Sequence, residues 1–130
     1  MIDVTAAILS NNGRLLIAQR KTTGKLPNKW EFPGGKIEPG ETPEECLKRE
    51  MKEEFDIGVT IGEYLGESIF HYDHGSIRLL AYRTNWIAGE FILKDHQAIE
   101  WVNKNELSDY DFAPADMPFV DKLRRGEIEL

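Results

Sequence analysis

Three glutamates close together in the sequence have the type and spacing of a divalent-cation site. Glu50, Glu53 and Glu54 lie in a stretch, residues 43–55, that is expected to be helical. Spacings of three and four residues put side chains next to each other on a helix, so these carboxylates repel each other. Hard cations prefer oxygen ligands, and Mg²⁺ needs only a few carboxylates when substrate phosphates complete its shell. The pattern therefore fits a magnesium site, and an ordinary solvated helix face is the alternative.

The helix that carries these glutamates has a recognisable start and an apolar face. Thr42 is expected to be the N-cap, with Pro43 in the first turn and Glu45 completing a capping box. Three apolar residues, spaced four apart, form a stripe that is expected to face the core: Leu47, Met51 and Phe55. The helix is expected to end near Phe55.

Apolar runs on both sides of this helix predict strands. Val4–Leu9 and Leu15–Ala18 are joined by Asn11-Asn12-Gly13, which predicts a β-hairpin. Residues 21–40 are expected to form a long loop. Later strands are expected at 59–65, 68–72, 77–86 and 99–102, with a break at Gly66, a helical turn at 103–107 and a terminal helix at 117–125. Strands around a central helix, with a second helix at the end, predict an α/β fold whose mixed sheet is sandwiched between helices.

Composition limits the classes of function. A chain of 130 residues with 41% apolar and 30% charged residues is expected to form one domain over residues 1–130. The net charge of −7 argues against a nucleic acid polymer as partner, because phosphate backbones are bound by Lys and Arg. The only cysteine, Cys46, excludes a disulfide framework and is expected to be a packing residue. The first residues contain no basic leader or long apolar run, so we expect a cytoplasmic protein that does not bind membranes.

The spacing of the charged residues resembles the signature of the Nudix hydrolases. Gly35, Glu41 and then the run Arg49-Glu50-Met51-Lys52-Glu53-Glu54 match that signature. One position departs from it, because a glycine is expected where this chain has Asp56. Aspartate tolerates the left-handed backbone conformation better than most residues, and we expect Asp56 to adopt it. Residues 32–38 and 113–118 are similar to the MutT-type branch, so the resemblance covers nearly the whole chain.

The resemblance implies a metal-dependent hydrolysis. Nudix enzymes hydrolyse a nucleoside diphosphate linked to another moiety, and MutT-type members convert nucleoside triphosphates to monophosphate and pyrophosphate. It implies that Glu50, Glu53 and Glu54, with the carbonyl of Gly34 or Gly35, hold Mg²⁺, with Mn²⁺ as the alternative metal.

The resemblance also assigns roles around the metal. Arg49 would pair with the glutamates and orient them, and Glu41 would help to order the loop before the helix. The general base stays open between Glu50, Glu53 and a carboxylate from a later loop. Asp95 lies where relatives often carry a loop glutamate, and a catalytic role and an ordinary solvated turn are both open for it.

Four residues are candidates for binding the nucleotide. By resemblance, Arg20 would contact phosphate and Phe32 the nucleotide, while Tyr72 could add an aromatic wall. The alternative for both aromatic residues is a place in the core. Asp116 either recognises the base or N-caps the terminal helix, and the two roles are compatible. The three histidines form no metal-binding spacing and are expected on the surface or in loops: His71, His74 and His96.

Two substrates compete within the MutT-type branch. One is CTP or dCTP, with their 5-substituted or oxidised forms; the other is 8-oxo-dGTP. CTP pyrophosphohydrolases resemble this chain in the sequence Ala-Pro-Ala-Asp that ends at Asp116, whereas the 8-oxo-dGTP enzyme has asparagine there. The carboxylate of Asp116 would accept a hydrogen bond from the amino group of cytosine, although it could equally accept from the N1 and N2 hydrogens of a guanine. Residues 95–101 are also similar to the cytidine enzymes, and for this reason we favour cytidine nucleotides. The sequence also leaves open a non-catalytic nucleotide sensor and an enzyme acting on ADP-ribose or a sugar nucleotide, and the protein is expected to be a monomer or a homodimer.

Overall fold

A computed structural model describes residues 1–130 and contains a mixed sheet of six strands flanked by helices. The elements in chain order are β1 (Ile2–Asn11), β2 (Arg14–Arg20), β3 (Trp30–Glu31), α1 (Pro43–Phe55), β4 (Gly58–Tyr72), β5 (Gly75–Ala88), β6 (His96–Val102) and α2 (Met117–Arg124). Two 3₁₀ segments, Lys104–Asp109 and Pro114–Asp116, precede α2. The strand order is β3-β2-β1-β5-β4, with β6 paired to β2; β1 and β5 are parallel and the other pairs are antiparallel.

Apolar side chains along β1 and β2 point alternately to the two faces of the sheet, so a core forms on each face. Ala7 and Leu9 pack with the apolar side chains of α1, whereas Ala6 and Ile8 pack with those of α2. Successive strand residues point to opposite faces, so each buried strand supplies both cores. The predicted sandwich of a mixed sheet between helices is confirmed. Neither helix is both long and apolar enough to cross a membrane.

The sheet opens next to the first hairpin. The predicted turn is confirmed, since Asn12 and Gly13 both have positive φ angles, 53° and 77°, as a two-residue type I′ turn requires. β1 and β2 pair only beside this turn, from Ser10↔Leu15 to Asn11↔Arg14, and then diverge. Residues 33–37 take the vacated edge of β1, with Thr5 N–H donating to the Gly35 carbonyl at 2.8 Å and Ala7 N–H donating to that of Pro33 at 2.7 Å.

Local signals at both ends of α1 are confirmed. The Thr42 side chain accepts from the Glu45 backbone, and the Glu45 side chain accepts from Thr42, so the capping box is complete. Asp56 ends the helix in the left-handed conformation at φ 58° and ψ 36°, and its N–H donates to Lys52 O. Its carboxylate pairs with Lys52 Nζ at 2.9 Å. The aspartate thus performs the turn for which the family pattern has glycine.

Several predicted boundaries are wrong. Residues 59–65 and 68–72 form one strand, β4, and Gly66 lies at a bulge where the register with β5 shifts. The predicted loop at 21–40 contains the short strand β3, which pairs with β2. The last strand begins at His96, not at residue 99, and His96 is buried where a surface position was expected. β4 continues past Gly66 because both of its halves pair with the next strand, β5, whereas β3 and the start of β6 are fixed by pairing with β2. Local patterns do not show such pairing.

Replacing Asp56 tests the left-handed helix end. Left-handed backbone costs an ordinary L-residue about 1–2 kcal/mol and costs glycine nothing. We expect Asp56→Ala to be less stable than Asp56→Gly by about 1 kcal/mol, since both variants lose the pair with Lys52. Urea unfolding of the two variants measures the difference. Equal stabilities would show that residue 56 relaxes out of this conformation.

Candidate active site

A cavity of about 540 Å³ lies where β1 and β2 diverge. Its volume is in the range of small-molecule binding sites. Every predicted site residue lines it except Arg49 and Glu53: the lining includes Arg20, Phe32, Gly34, Gly35, Glu50, Glu54, Tyr72, Asp95 and Asp116. The structure therefore brings the glutamates of α1 together with residues predicted to bind the nucleotide, although the two groups lie far apart in sequence.

Arg49 ties α1 to the loop before it. Its Nε and Nη2 donate to the two oxygens of Glu41 at 2.7 and 2.9 Å, and Nη1 donates to Glu50 at 2.8 Å and Glu53 at 3.1 Å. Nη2 also donates to the Lys36 carbonyl at 3.1 Å, so all five N–H donors have acceptors. Hydrogen bonds from Arg49 lower the pKa of Glu41 to about 2. This arrangement agrees with the orienting roles predicted for Arg49 and Glu41.

The backbone at Gly35 approaches the carboxylate of Glu50 closely. A Cβ atom at position 35 would lie 2.3 Å from Glu50 Cδ, so any larger residue there would displace the Glu50 carboxylate. A Cβ atom at Gly34 would lie 1.9 Å from the carbonyl oxygen of Thr5 in β1. The carbonyl of Gly35 accepts from the backbone of Thr5, whereas that of Gly34 makes no hydrogen bond. Of the two predicted carbonyl ligands, Gly34 therefore has the free oxygen.

Glu54 is a buried carboxylate without a cationic partner. Burial, followed by its contact with Glu50, raises the pKa of Glu54 well above the ordinary range. Its Oε2 is buried and has no hydrogen-bond partner. Two adjacent carboxylates, a glycine at close approach and an unpartnered oxygen fit the oxygen donors that a hard divalent cation requires.

The other two predicted metal ligands, Asp95 and Glu53, are more exposed than Glu50 and Glu54. Asp95 is exposed at the cavity edge, and its charge also acts on Glu54. The Glu53 side chain is 59% exposed and pairs with Arg49. No group of three or more acidic, histidine or cysteine side chains is assembled around a common metal position. The roles of Asp95 and Glu53 at the metal stay predictions.

Arg20, predicted to contact phosphate, already has protein partners. Its Nη1 pairs with Glu31 Oε1 at 3.0 Å and its Nε donates to the Lys25 carbonyl at 2.9 Å. Two lysines also line the cavity without ion pairs to protein carboxylates, Lys21 and Lys36, so they are available to an anionic ligand. Sequence reasoning missed these lysines, although the basic composition of the loop after Arg20 was a usable signal.

The opposite wall of the cavity is aromatic and ends at Asp116. Phe32 is buried and its ring packs on Phe112, so its core role is confirmed even though it also lines the cavity. The hydroxyl oxygen of Tyr72 accepts from the Ala115 backbone at 2.9 Å. Asp116 Oδ1 accepts the Phe32 N–H at 3.0 Å, whereas Oδ2 has no protein partner.

The N-capping role considered for Asp116 is wrong. Its side chain makes no capping hydrogen bond to α2, and its backbone is already helical at φ −81° and ψ −20°. Burial, followed by the charge of Glu31, raises the pKa of Asp116 well above the ordinary range. The carboxyl group instead holds the backbone of Phe32 and faces the cavity, which leaves ligand recognition as its open role.

Sequence reasoning also missed Glu31 and His96. Glu31 binds Arg20 with one oxygen and His96 Nε2 with the other, at 2.9 Å. Both residues line the cavity, and neither belongs to the resembled signature. The only available signal was the similarity of residues 95–101 to the cytidine enzymes.

The chain is similar to known proteins in sequence and in fold. The chain matches the NUDIX domain model over residues 1–123. It is 37% identical over 121 residues to the CTP pyrophosphohydrolase of Escherichia coli, covering 93% of this chain and 90% of that protein. It is 35% identical over 127 residues to the 8-oxo-dGTP diphosphatase of Escherichia coli, covering 95% and 97%. The solved structure of a MutT protein from methicillin-resistant Staphylococcus aureus is similar with a TM-score of 0.76 at 38% identity, covering 96% of each chain.

Alanine substitutions at Gly34 and Gly35 are expected to have different effects, one on stability and the other on metal binding. Gly34→Ala would force the backbone away from Thr5, so we expect a loss of about 3 kcal/mol in the free energy of unfolding. The three atoms nearest to a Cβ at position 35 all belong to the Glu50 side chain, which can move. We therefore expect Gly35→Ala to lose less stability but to weaken Mn²⁺ binding by about tenfold or more.

Urea unfolding and titration calorimetry with Mn²⁺ measure these two effects. Gly62→Ala is the matched control, because a Cβ atom there makes ordinary contacts, the nearest at 3.5 Å from Arg83 O. Unchanged stability in Gly34→Ala, or unchanged Mn²⁺ affinity in Gly35→Ala, would contradict the geometry described for that glycine.

Proposed function

Because the chain belongs to the Nudix family, whose members are hydrolases that generally need divalent metal ions, we propose that it hydrolyses a nucleoside triphosphate to monophosphate and pyrophosphate. The proposed substrates are CTP, dCTP and their 5-substituted or oxidised forms, and the proposed metal is Mg²⁺. The observation that carries the proposal is the shared cavity: Glu50 and Glu54 lie at one side of it and Asp116 faces it from another part of the chain.

Glu50, Glu54 and the free carbonyl of Gly34 are the proposed metal ligands, with Asp95 and Glu53 as further carboxylates within the same region. Bound Mg²⁺ would polarise the phosphoryl oxygens and neutralise charge that develops during the displacement. Arg49 supports this step indirectly, because it holds the Glu50 carboxylate next to Gly35. The lysines that line the cavity, Lys21 and Lys36, would bind the phosphates.

Asp95 is the proposed general base. Glu50 already accepts a hydrogen bond from Arg49, so its oxygens are less available for a proton. Asp95 is exposed at the cavity edge, and its side chain makes no hydrogen bond or ion pair within the protein. A free carboxylate there can accept the proton of an attacking water while the ligands stay in place.

The preference for cytidine nucleotides rests on Asp116. Its Oδ1 is committed to the Phe32 N–H, which fixes the carboxyl plane and leaves Oδ2 for a ligand. The amino group of cytosine would donate to this oxygen and favour the charged form of the carboxyl group. Tyr72 and Phe32 would supply apolar contacts to the base. The relative named CTP pyrophosphohydrolase supports the same substrate class.

A second candidate substrate, 8-oxo-dGTP, is favoured by the raised pKa of Asp116. A protonated carboxyl group donates a hydrogen bond, as an asparagine amide does, and could therefore serve a purine that presents an acceptor. The relative named 8-oxo-dGTP diphosphatase supports this candidate. Both candidates use the same metal site and differ only in what Asp116 presents to the base.

Turnover of a nucleotide panel tests the proposed function. We expect Mg²⁺-dependent release of pyrophosphate, lost in EDTA, with kcat/KM for CTP, dCTP or 5-hydroxy-dCTP at least about tenfold above that for 8-oxo-dGTP and dGTP. Glu54→Gln should lower kcat by about 10²-fold or more, whereas Glu44→Gln, an exposed glutamate on the same helix, should not. No turnover of any triphosphate would overturn the proposal, and a lead by 8-oxo-dGTP would select the second candidate.

Asp116→Asn tests base recognition in a folded protein. Asparagine keeps an oxygen for the Phe32 N–H, but its amide group would present a donor to the cavity in place of Oδ2. We expect the ratio of kcat/KM for CTP to that for 8-oxo-dGTP to fall about tenfold, in line with the discrimination expected of a specific base contact. Asp111→Asn, at an exposed aspartate paired with Lys29, is the control. An unchanged ratio would remove Asp116 from base recognition.

A further inference from the structure

His96 lies between two carboxylates that serve different parts of the site. Its Nε2 is 2.9 Å from Glu31 Oε2, and its Nδ1 is 3.8 Å from Glu54 Oε2. Nδ1 of His96 and Oε2 of Glu54 are the two buried side-chain polar atoms that have no hydrogen-bond partner. A separation of 3.8 Å is longer than a hydrogen bond, so each atom is left facing the other without a formed contact.

The imidazole ring has little freedom to move away from Glu54. Its side chain is only 5% exposed. The ring stacks on Phe55, the last residue of α1, with centroids 5.2 Å apart and planes at 13°. Its backbone is held in β6, where His96 pairs with Arg20 of β2. The orientation of Nδ1 toward Glu54 is therefore set by packing as well as by the bond to Glu31.

A row of neighbouring polar side chains joins the two sides of the cavity, with one gap between His96 and Glu54. Arg20 binds one oxygen of Glu31, His96 binds the other, and the far side of the imidazole faces Glu54. This row of side chains runs from the end of β2 to Glu54, whose carboxylate lies against Glu50 on α1. A shift of less than about 1 Å would bring His96 Nδ1 and Glu54 Oε2 within hydrogen-bond distance.

We propose that His96 is a positioning residue that orients the Glu54 carboxylate for the metal through Nδ1 and the Glu31–Arg20 pair for the nucleotide through Nε2. The inference rests on the proposed function, since it takes Glu54 as a metal ligand, and it takes Arg20 as the phosphate contact that the resemblance implies. Partners that orient metal ligands change metal affinity when they are removed, although they do not touch the metal. A ring that only filled space would affect stability alone.

Two substitutions test the roles of the two ring nitrogens of His96 one at a time. The amide of glutamine reaches about as far as Nε2, so His96→Gln keeps a partner for Glu31 and removes the one facing Glu54. The amide of asparagine lies near the position of Nδ1, so His96→Asn keeps the partner facing Glu54 and loses the one to Glu31. The effects on metal binding and on nucleotide binding should therefore fall on different variants.

Binding of Mn²⁺ to the nucleotide-free protein, measured by electron paramagnetic resonance, is the first readout. We expect His96→Gln to raise the Kd for Mn²⁺ by about tenfold or more, and His96→Asn to leave it within about threefold of wild type. Steady-state kinetics is the second readout, and His96→Asn should raise KM for the nucleotide more than it lowers kcat. His71→Asn, at an exposed histidine that bonds Ser76, is the control and should change neither.

The outcomes distinguish this inference from the proposed function. Equal Kd values for wild type and both His96 variants, or equal weakening in both variants together with a lowered Tm, would overturn the positioning role while leaving hydrolysis intact. If the wild-type protein binds no Mn²⁺ and hydrolyses no triphosphate, the metal assignment of Glu54 fails first, and the role of His96 fails with it.

Discussion

The ion pairs of Arg49 hold together a part of the molecule whose charges would otherwise repel. Glu41, Glu50 and Glu53 all contact one guanidinium, and the same group binds the carbonyl of Lys36. Because every N–H donor is used, the helix α1 and the loop before it have one defined relation. The position of Glu50, and with it the glycine backbone that Glu50 contacts, depends on this interaction.

The second constraint is steric and acts on the sheet. Residues 33–37 can pair with β1 only because β2 diverges from β1 after the hairpin, and because Gly34 has no Cβ to meet Thr5. The same divergence opens the cavity. Close packing of backbone against backbone thus places Gly34 and Gly35 beside the glutamates, while the strands that separate supply the wall for the ligand. The divergence of β2 from β1 therefore accounts both for the pairing of residues 33–37 with β1 and for the cavity.

Short-range signals in the sequence predicted the features that depend on neighbouring residues. The capping box of Thr42 and Glu45, the turn at Asn12-Gly13 and the left-handed Asp56 are each fixed by a few adjacent positions, and each is confirmed. The resemblance added the site residues, most of which meet in one cavity. The sequence could not show that His96 is buried, that Glu31 connects it to Arg20, or that Asp116 holds Phe32, because these contacts join elements from distant parts of the chain.

The site has two regions: in one, the polar groups have hydrogen-bond partners within the protein, and in the other, several polar groups have none. Around Arg49, donors and acceptors are matched within the protein, so this region needs no ligand to be stable. At Glu54, a buried oxygen has no partner, and the free carbonyl of Gly34 and the exposed Asp95 border the same cavity. Buried polar groups without partners are costly, and they persist where something outside the chain completes them. A divalent cation with a polyphosphate meets that requirement, since it brings positive charge to the carboxylates and negative charge to the lysines of the cavity. The unmatched groups therefore lie where we propose that the metal and substrate bind, and the matched groups around Arg49 hold the neighbouring backbone in place.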